Sequence, residues 1–315
     1  MKQLAWAIAL LPTMALGQDL GIKRCVNLGD ALETPAREGE WGYVIEDRDM
    51  TLIAEAGFDA VRLPVRFSTR WDGRAIDPAF LARVDDVIKD LMAKDLKVIL
   101  DLHHFEELME DPATHADTFR DIWAALGDHY AGWPETLYFE LLNEPTGALS
   151  TEKVVPMFHD IIADLRAEHP TRWIILEGGD WGHRDELAKL PDFGPFTAHS
   201  FHYYDPHPFT HQQLPYTSDP FPARNWALAE GDAIRADIAQ AAAHPAPLFL
   251  GEFGTYRAID TDSRLAWLKT VRLAAEAEGI GWCAWSFASN FGLVREDKDA
   301  WLPGIVPALG LTAQD

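Results

Sequence analysis

Eight short β-rich runs recur along this chain with amphipathic stretches between them, and that alternation constrains the fold more than any other feature. In order the runs are IKRCVNLG from Ile22, FDAVRLPV from Phe58, LKVILDLHH from Leu96, LYFELLNEP from Leu137, RWIILEGG from Arg172, FTAHSFHYY from Phe196, PLFLGEFG from Pro247 and GWCAWSF from Gly281. The stretches between them, such as PAFLARVDDVIKDLMAKD and SRLAWLKTVRLAAEAEG, repeat apolar residues at three and four positions, the spacing of a helix lying on a sheet. Eight strand and helix units predict a single (β/α)8 TIM barrel. The competing doubly wound open sheet calls for a glycine-rich phosphate turn after the first strand, and NLGDALETP lacks the G-x-G-x-x-G spacing.

At 315 residues, with 48% hydrophobic and 24% charged residues, the chain can bury a sizeable core. No Gly/Ser-rich linker or internal repeat interrupts residues 18–315, so one catalytic barrel is expected there. The start, MKQLAWAIALLPTMALGQ, places Lys2 before an apolar run and small residues at Ala15 and Gly17, which reads as an export signal over residues 1–17 and a secreted or periplasmic protein. That run is shorter than the roughly 20 residues needed to cross a bilayer, and no later stretch qualifies as a span. A formal charge of −23, from 27 Lys+Arg against 50 Asp+Glu, would repel nucleic acid and anionic membrane surfaces, so a neutral or cationic partner is expected, and a monomer. Cys25 and Cys283 each sit in an apolar run and read as packed thiols, although closing the barrel would make the first and eighth strands neighbours.

The polar residues of the runs gather toward one rim. The second strand carries Arg62, the third ends in His103 and His104, the fourth in Asn143 and Glu144, the sixth in His202 and Tyr204, the seventh in Glu252, and the eighth carries Trp285. Pro145 is expected to hold Glu144 in an extended backbone. Glu144 and Glu252 would face one another across the barrel mouth, as glycoside cleavage needs: one acid protonates the leaving oxygen while the other attacks or stabilises the oxocarbenium-like carbon. Arg62 beside Glu252, with a phenol from Tyr204, would favour the carboxylate there, and Glu144 would keep its proton in less cationic, partly desolvated surroundings. Glu140 and Asp101 lie deeper in their strands and read as buried partners of Arg62 or a histidine. The adjacent pair His103 and His104 raises the question of a metal, but adjacent strand residues point to opposite faces, so no metal and no cofactor is expected. Residues 205–226, rich in proline, read as a long functional loop without a regular element. For Trp41, Trp181 and Trp226, in segments that read as rim loops, ordinary packing is the better expectation for each.

GFDAVRLPVRF, VILDLHH, LLNEP, HYY, GEFG and WCAWSF, in that order, resemble the motif series of glycoside hydrolase family 5 over nearly the whole chain after the signal. VNLGDALETPAREGEWG and PFTHQ further resemble the compact bacterial endoglucanases of that family, some of which accept mannan. The resemblance implies Glu144 as acid/base and Glu252 as nucleophile, Asn143 on the sugar 2-hydroxyl, Arg62 and Tyr204 tuning Glu252, His103 and His202 lining the cleaved subsite, and Trp285 as its platform. It extends to His104, Glu33 and His211 as substrate contacts, and to Asp30, which stands where such relatives usually carry Asn. The reaction implied is retaining endo-β-1,4-glucan hydrolysis without a cofactor, acting on a β-linked polysaccharide or oligosaccharide. Two alternatives stay open: a β-1,4-mannanase or mixed glucan/mannan hydrolase, and a non-catalytic carbohydrate-binding barrel.

Overall fold

The computed structural model describes residues 19–312, so the expected export signal lies outside the described residues. Eight parallel strands close into a barrel in sequence order: β1 (Arg24–Asn27), β2 (Ala60–Val65), β3 (Lys97–Leu102), β4 (Leu137–Glu140), β5 (Ile174–Glu177), β6 (Thr197–Tyr203), β7 (Leu248–Phe253) and β8 (Gly281–Ala284). Each lies within one of the runs read from the sequence. Six longer helices surround them: α1 (Asp47–Glu55), α2 (Pro78–Met92), α3 (Pro112–His129), α4 (Thr151–Leu165), α5 (Gly231–Ala242) and α6 (Thr261–Ala277). Local chemistry sets their starts. Asp77 accepts from the Ala79 and Phe80 N–H groups just before Pro78 opens α2, and Asp260 accepts from Ser263 N to open α6.

Outward residues such as Val26, Val61, Leu100, Phe139 and Leu250 share one large apolar cluster with the inner faces of the helices. A second cluster fills the bottom of the barrel, with Cys25, Ala60, Ile99, Tyr138, Ile175, Ala198, Phe249 and Cys283 over a plug of Leu20, Ile22 and Trp173. Two residues further along most of these strands, the period-two alternation of a strand puts Asn27, Arg62, Asp101, Glu140, Glu177 and Ser200 on the same inner face, all buried. The interior is therefore apolar below and charged above.

Cys25 and Cys283 form a disulfide, which replaces the expectation of packed thiols. The reason is register: β1 pairs with β8 where the barrel closes, with Cys25 directly opposite Cys283 and their Cα atoms 4.1 Å apart. The loop over residues 205–226 contains one helical turn, His207–Thr210, where proline content argued against any regular element. Pro208 lies near the start of that turn, where a missing N–H costs nothing.

Candidate active site

Arg62 is the centre of the charged layer and is fully buried. Its Nε and Nη2 donate to Glu140 at 2.7 and 3.1 Å, its Nη2 also donates to Asn143 Oδ1 at 2.8 Å and lies 3.0 Å from Asp101, and its Nη1 donates to Glu252 Oε1 at 2.7 Å and Asn27 Oδ1 at 3.0 Å. Burial works against the guanidinium charge, but Asp101, Glu140 and Glu252 more than offset it. Removing any of these partners would leave buried charge uncompensated. Glu140 and Asp101 are thus buried partners of Arg62, and Asp101 also meets His103 Nδ1 at 2.5 Å.

Glu252 reaches this layer because β7 is irregular. Phe201 pairs with Leu250 but His202 pairs with Glu252, so Gly251 is an extra residue in β7. Phe249 faces inward, and strict alternation would have sent Glu252 outward to the helices; the bulge turns it into the barrel. Gly251 is required there, since a Cβ would sit 2.5 Å from Ser200 Oγ and 3.0 Å from His202 Nε2. Both Glu252 oxygens meet donors, Arg62 Nη1 on Oε1 and the Tyr204 hydroxyl on Oε2 at 2.8 Å. Burial, with Glu144 adding to it, pushes the Glu252 carboxyl up to about 8 even though His202, Arg62 and Tyr204 pull it down.

Glu144 does not have the extended backbone expected before Pro145. Its φ of 45° is left-handed, a conformation costing roughly 1–2 kcal/mol for a residue with a Cβ. The proline ring does exclude the right-handed helical region, and the chain escapes to the other side. The Glu144 N–H donates to Glu177 Oε2 at 2.7 Å, and its Oε1 accepts from His202 Nδ1 at 2.7 Å. Its surroundings are therefore not less cationic: burial disfavours a charged His202, but the Glu177 and Glu252 carboxylates, with the hydrogen bond to Glu144, hold it protonated well above the ordinary histidine range. Carboxylate oxygens of Glu144 and Glu252 and a nitrogen of His202 lie within 4.8 Å of one another. That trio, and the trio Glu140, Glu177 and His202, have the compactness of a metal site. Each would need a lone pair from His202, whose Nδ1 is engaged by Glu144 Oε1 at 2.7 Å and whose Nε2 lies 2.6 Å from Glu177 Oε1, so that the ring is held as an imidazolium with no lone pair to give.

Above the acids opens a cleft of about 1250 Å³. Asp30, His103, His104, His202, Tyr204, His211 and Trp285 line it together with both glutamates. Trp285 lies parallel to the His103 ring at 5.7 Å and against Gly29, where a Cβ would fall 2.5 Å from the indole. His104 shares the cleft with His103, contrary to the alternation argument, because its φ of 53° breaks the strand there. Trp41 and Trp181 are 44% and 60% exposed at the cleft rim, so packing does not account for them; Trp226 alone of the three is buried, against Phe209. Tyr216, on the long loop, joins the rim.

Glu33 does not reach the cleft. It is fully buried, accepts from the Asp30 and Ala31 N–H groups, and burial together with Asp30 pushes it up to about 8. It shapes the loop that presents Asp30. Asn143 is buried with its Oδ1 on Arg62, which leaves the Nδ2 end to donate. Sequence reasoning missed Glu177, whose only signal was an acid closing the fifth β-rich run, and Asn27 and Ser200, which have none beyond parity.

Two carboxyls at the C-terminal mouth of a (β/α)8 barrel, one clamped by a guanidinium and a phenol and the other by an imidazolium, define a glycoside hydrolase of the barrel class. Residues 27–291 match the family model described as cellulase (glycosyl hydrolase family 5). The chain belongs to glycosyl hydrolase family 5. It is 30% identical over 273 residues to Endoglucanase H of Acetivibrio thermocellus, a match covering 82% of this chain and 29% of that protein. With Endoglucanase C of the same species it shares 27% over 308 residues, 81% of this chain and 87% of the relative. Among solved structures, Thermotoga maritima Cel5A in complex with cellobiose superposes with a TM-score of 0.88 at 34% identity, covering 91% of this chain and 97% of that one, and its complex with mannotriose gives 0.87 at 33% with the same coverage.

Proposed function

We propose that this chain is an exported, retaining endo-β-1,4-glucanase working by double displacement. The observation that carries the mechanism is the separation of the two acids. Retention needs carboxyl groups about 5–5.5 Å apart and inversion roughly 6.5–9.5 Å, to admit a water. Oxygens of Glu144 and Glu252 within 4.8 Å of one another suit retention.

Donors on both oxygens favour the Glu252 carboxylate against the burial that raises it, and Glu252 is assigned as the nucleophile and Glu144 as the acid that carries the proton. Glu252 attacks the anomeric carbon as the glycosidic bond breaks, and the Glu144 proton passes to the departing oxygen. A covalent glycosyl ester on Glu252 results. Glu144, now a carboxylate, takes a proton from water, the water oxygen attacks the same carbon, and Glu252 leaves with net retention. Asn143 Nδ2 would hold the 2-hydroxyl, and Trp285 would lie under the apolar face of the sugar.

Support for a glucan comes from the endoglucanase relatives, and support for the alternative, a mannan or mixed substrate, from the mannotriose complex of Cel5A. Product release from carboxymethyl cellulose and glucomannan against pure mannan separates the two. Proton NMR of the first product should show the β-anomer, and Glu252→Gln should abolish reducing-sugar release. An α-anomer first, or an unchanged Glu252→Gln, would refute the mechanism. Export rests on the pattern of residues 1–17; exported protein that still begins at Met1 would overturn it.

A further inference from the structure

We infer that Glu177, at the end of β5, is the positioning residue for the acid/base side of the site: its carboxylate keeps His202 an imidazolium and clamps the Glu144 backbone. This rests on the reading of Glu144 as acid/base given above. Glu177 is fully buried. Its Oε2 accepts from Glu144 N at 2.7 Å, and its Oε1 lies 3.1 Å from Ser200 Oγ and 2.6 Å from His202 Nε2.

Other charges also face His202, and they are committed elsewhere. Glu140 and Asp101 lie on Arg62, Asp101 also on His103, and Glu252 on Arg62 and Tyr204 while 3.6 Å from His202 Nδ1. Among the described residues, Glu177 has no ion pair except that with His202. Its carboxyl lies well below the usual range despite burial, chiefly through the His202 charge. The pair therefore divides one job in two. Glu177 holds His202 charged from behind, and His202 Nδ1 donates forward to Glu144 Oε1. The same carboxylate fixes the left-handed backbone that aims Glu144 at the cleft. When Glu144 surrenders its proton to the leaving oxygen, the carboxylate left behind already faces an N–H⁺, and His202 keeps its own proton throughout.

Glu177→Gln preserves shape and removes the charge. Nitrogen-15 histidine NMR should show His202 doubly protonated at neutral pH in the unmodified chain and singly protonated in the variant. Hydrolysis of phenyl β-cellobioside should fall about 10- to 100-fold, part of the roughly 10²- to 10⁴-fold that general acid catalysis contributes, while dinitrophenyl β-cellobioside, whose leaving group needs no proton, falls less than about threefold. Ser200→Ala, which removes a neutral contact to the same carboxylate, should affect both substrates alike. Equal losses on both substrates in Glu177→Gln, or a His202 still doubly protonated, would overturn the inference. If the variant does not fold, a singly protonated His202 in the unmodified chain does so by itself. Inactivity of the unmodified chain on every glycoside would instead refute the proposed function.

Discussion

Tyr204→Phe isolates one hydrogen bond of the site. The hydroxyl donates to Glu252 Oε2 at 2.8 Å in a buried setting, while Arg62 Nη1 independently serves Oε1 at 2.7 Å. A hydrogen bond to a charged group is worth about 1.5–3 kcal/mol. It acts on the ionised form of Glu252 and not on the protonated one, so its loss must raise that carboxyl further. At 1.36 kcal/mol per pH unit the rise is about 1–2 units. Since glycosylation needs Glu252 ionised, the acidic limb of the kcat/KM profile on an aryl β-cellobioside should move up by the same roughly 1–2 units, and activity at a fixed pH on that limb should fall about 10- to 100-fold. The ring remains to pack edge-on against His211 and Phe291, so melting should change little. An acidic limb in its original place would refute the reasoning, as would movement of the alkaline limb alone, which would assign Tyr204 to Glu144.

Gly251→Ala should lower stability by about 1–3 kcal/mol, because its Cβ would press on Ser200 and His202, and should cost turnover as His202 shifts; calorimetry with kcat on one substrate checks both. Glu33→Gln probes a raised carboxyl. Glu33 holds its proton up to about 8 in the folded chain, whereas the unfolded chain releases it near 4.5, so its contribution to stability is full below 4.5 and is lost as pH rises toward 8. The melting temperature of Glu33→Gln relative to the unmodified chain should therefore climb from pH 5 to pH 8, and a flat or falling difference contradicts the burial of an acid there. Trp181→Ala should raise KM on long soluble glucans about 3- to 10-fold, the scale of one lost aromatic contact, with little change in melting since the indole is 60% exposed; product sizing with initial rates reads it.

Strand period and chain order are local properties, and they determined a great deal. Depth along the strands marked Asp101 and Glu140 as buried partners of Arg62, and the apolar run ending in Asn143 and Glu144 marked a strand mouth. What local order cannot carry is a break in its own rule or a partner from across the barrel. Glu252 faces inward only because Gly251 bulges out of register with β6, and Glu144 and His104 are aimed by left-handed backbones that alternation excludes. The Cys25–Cys283 disulfide depends on the first strand meeting the last, and Glu33 is withdrawn by N–H groups of its own loop. Glu177 acquires its place only when β4, β5 and β6 stand side by side, because an ion pair is set by distance in space, and residues 144, 177 and 202 are neighbours only after the barrel has closed.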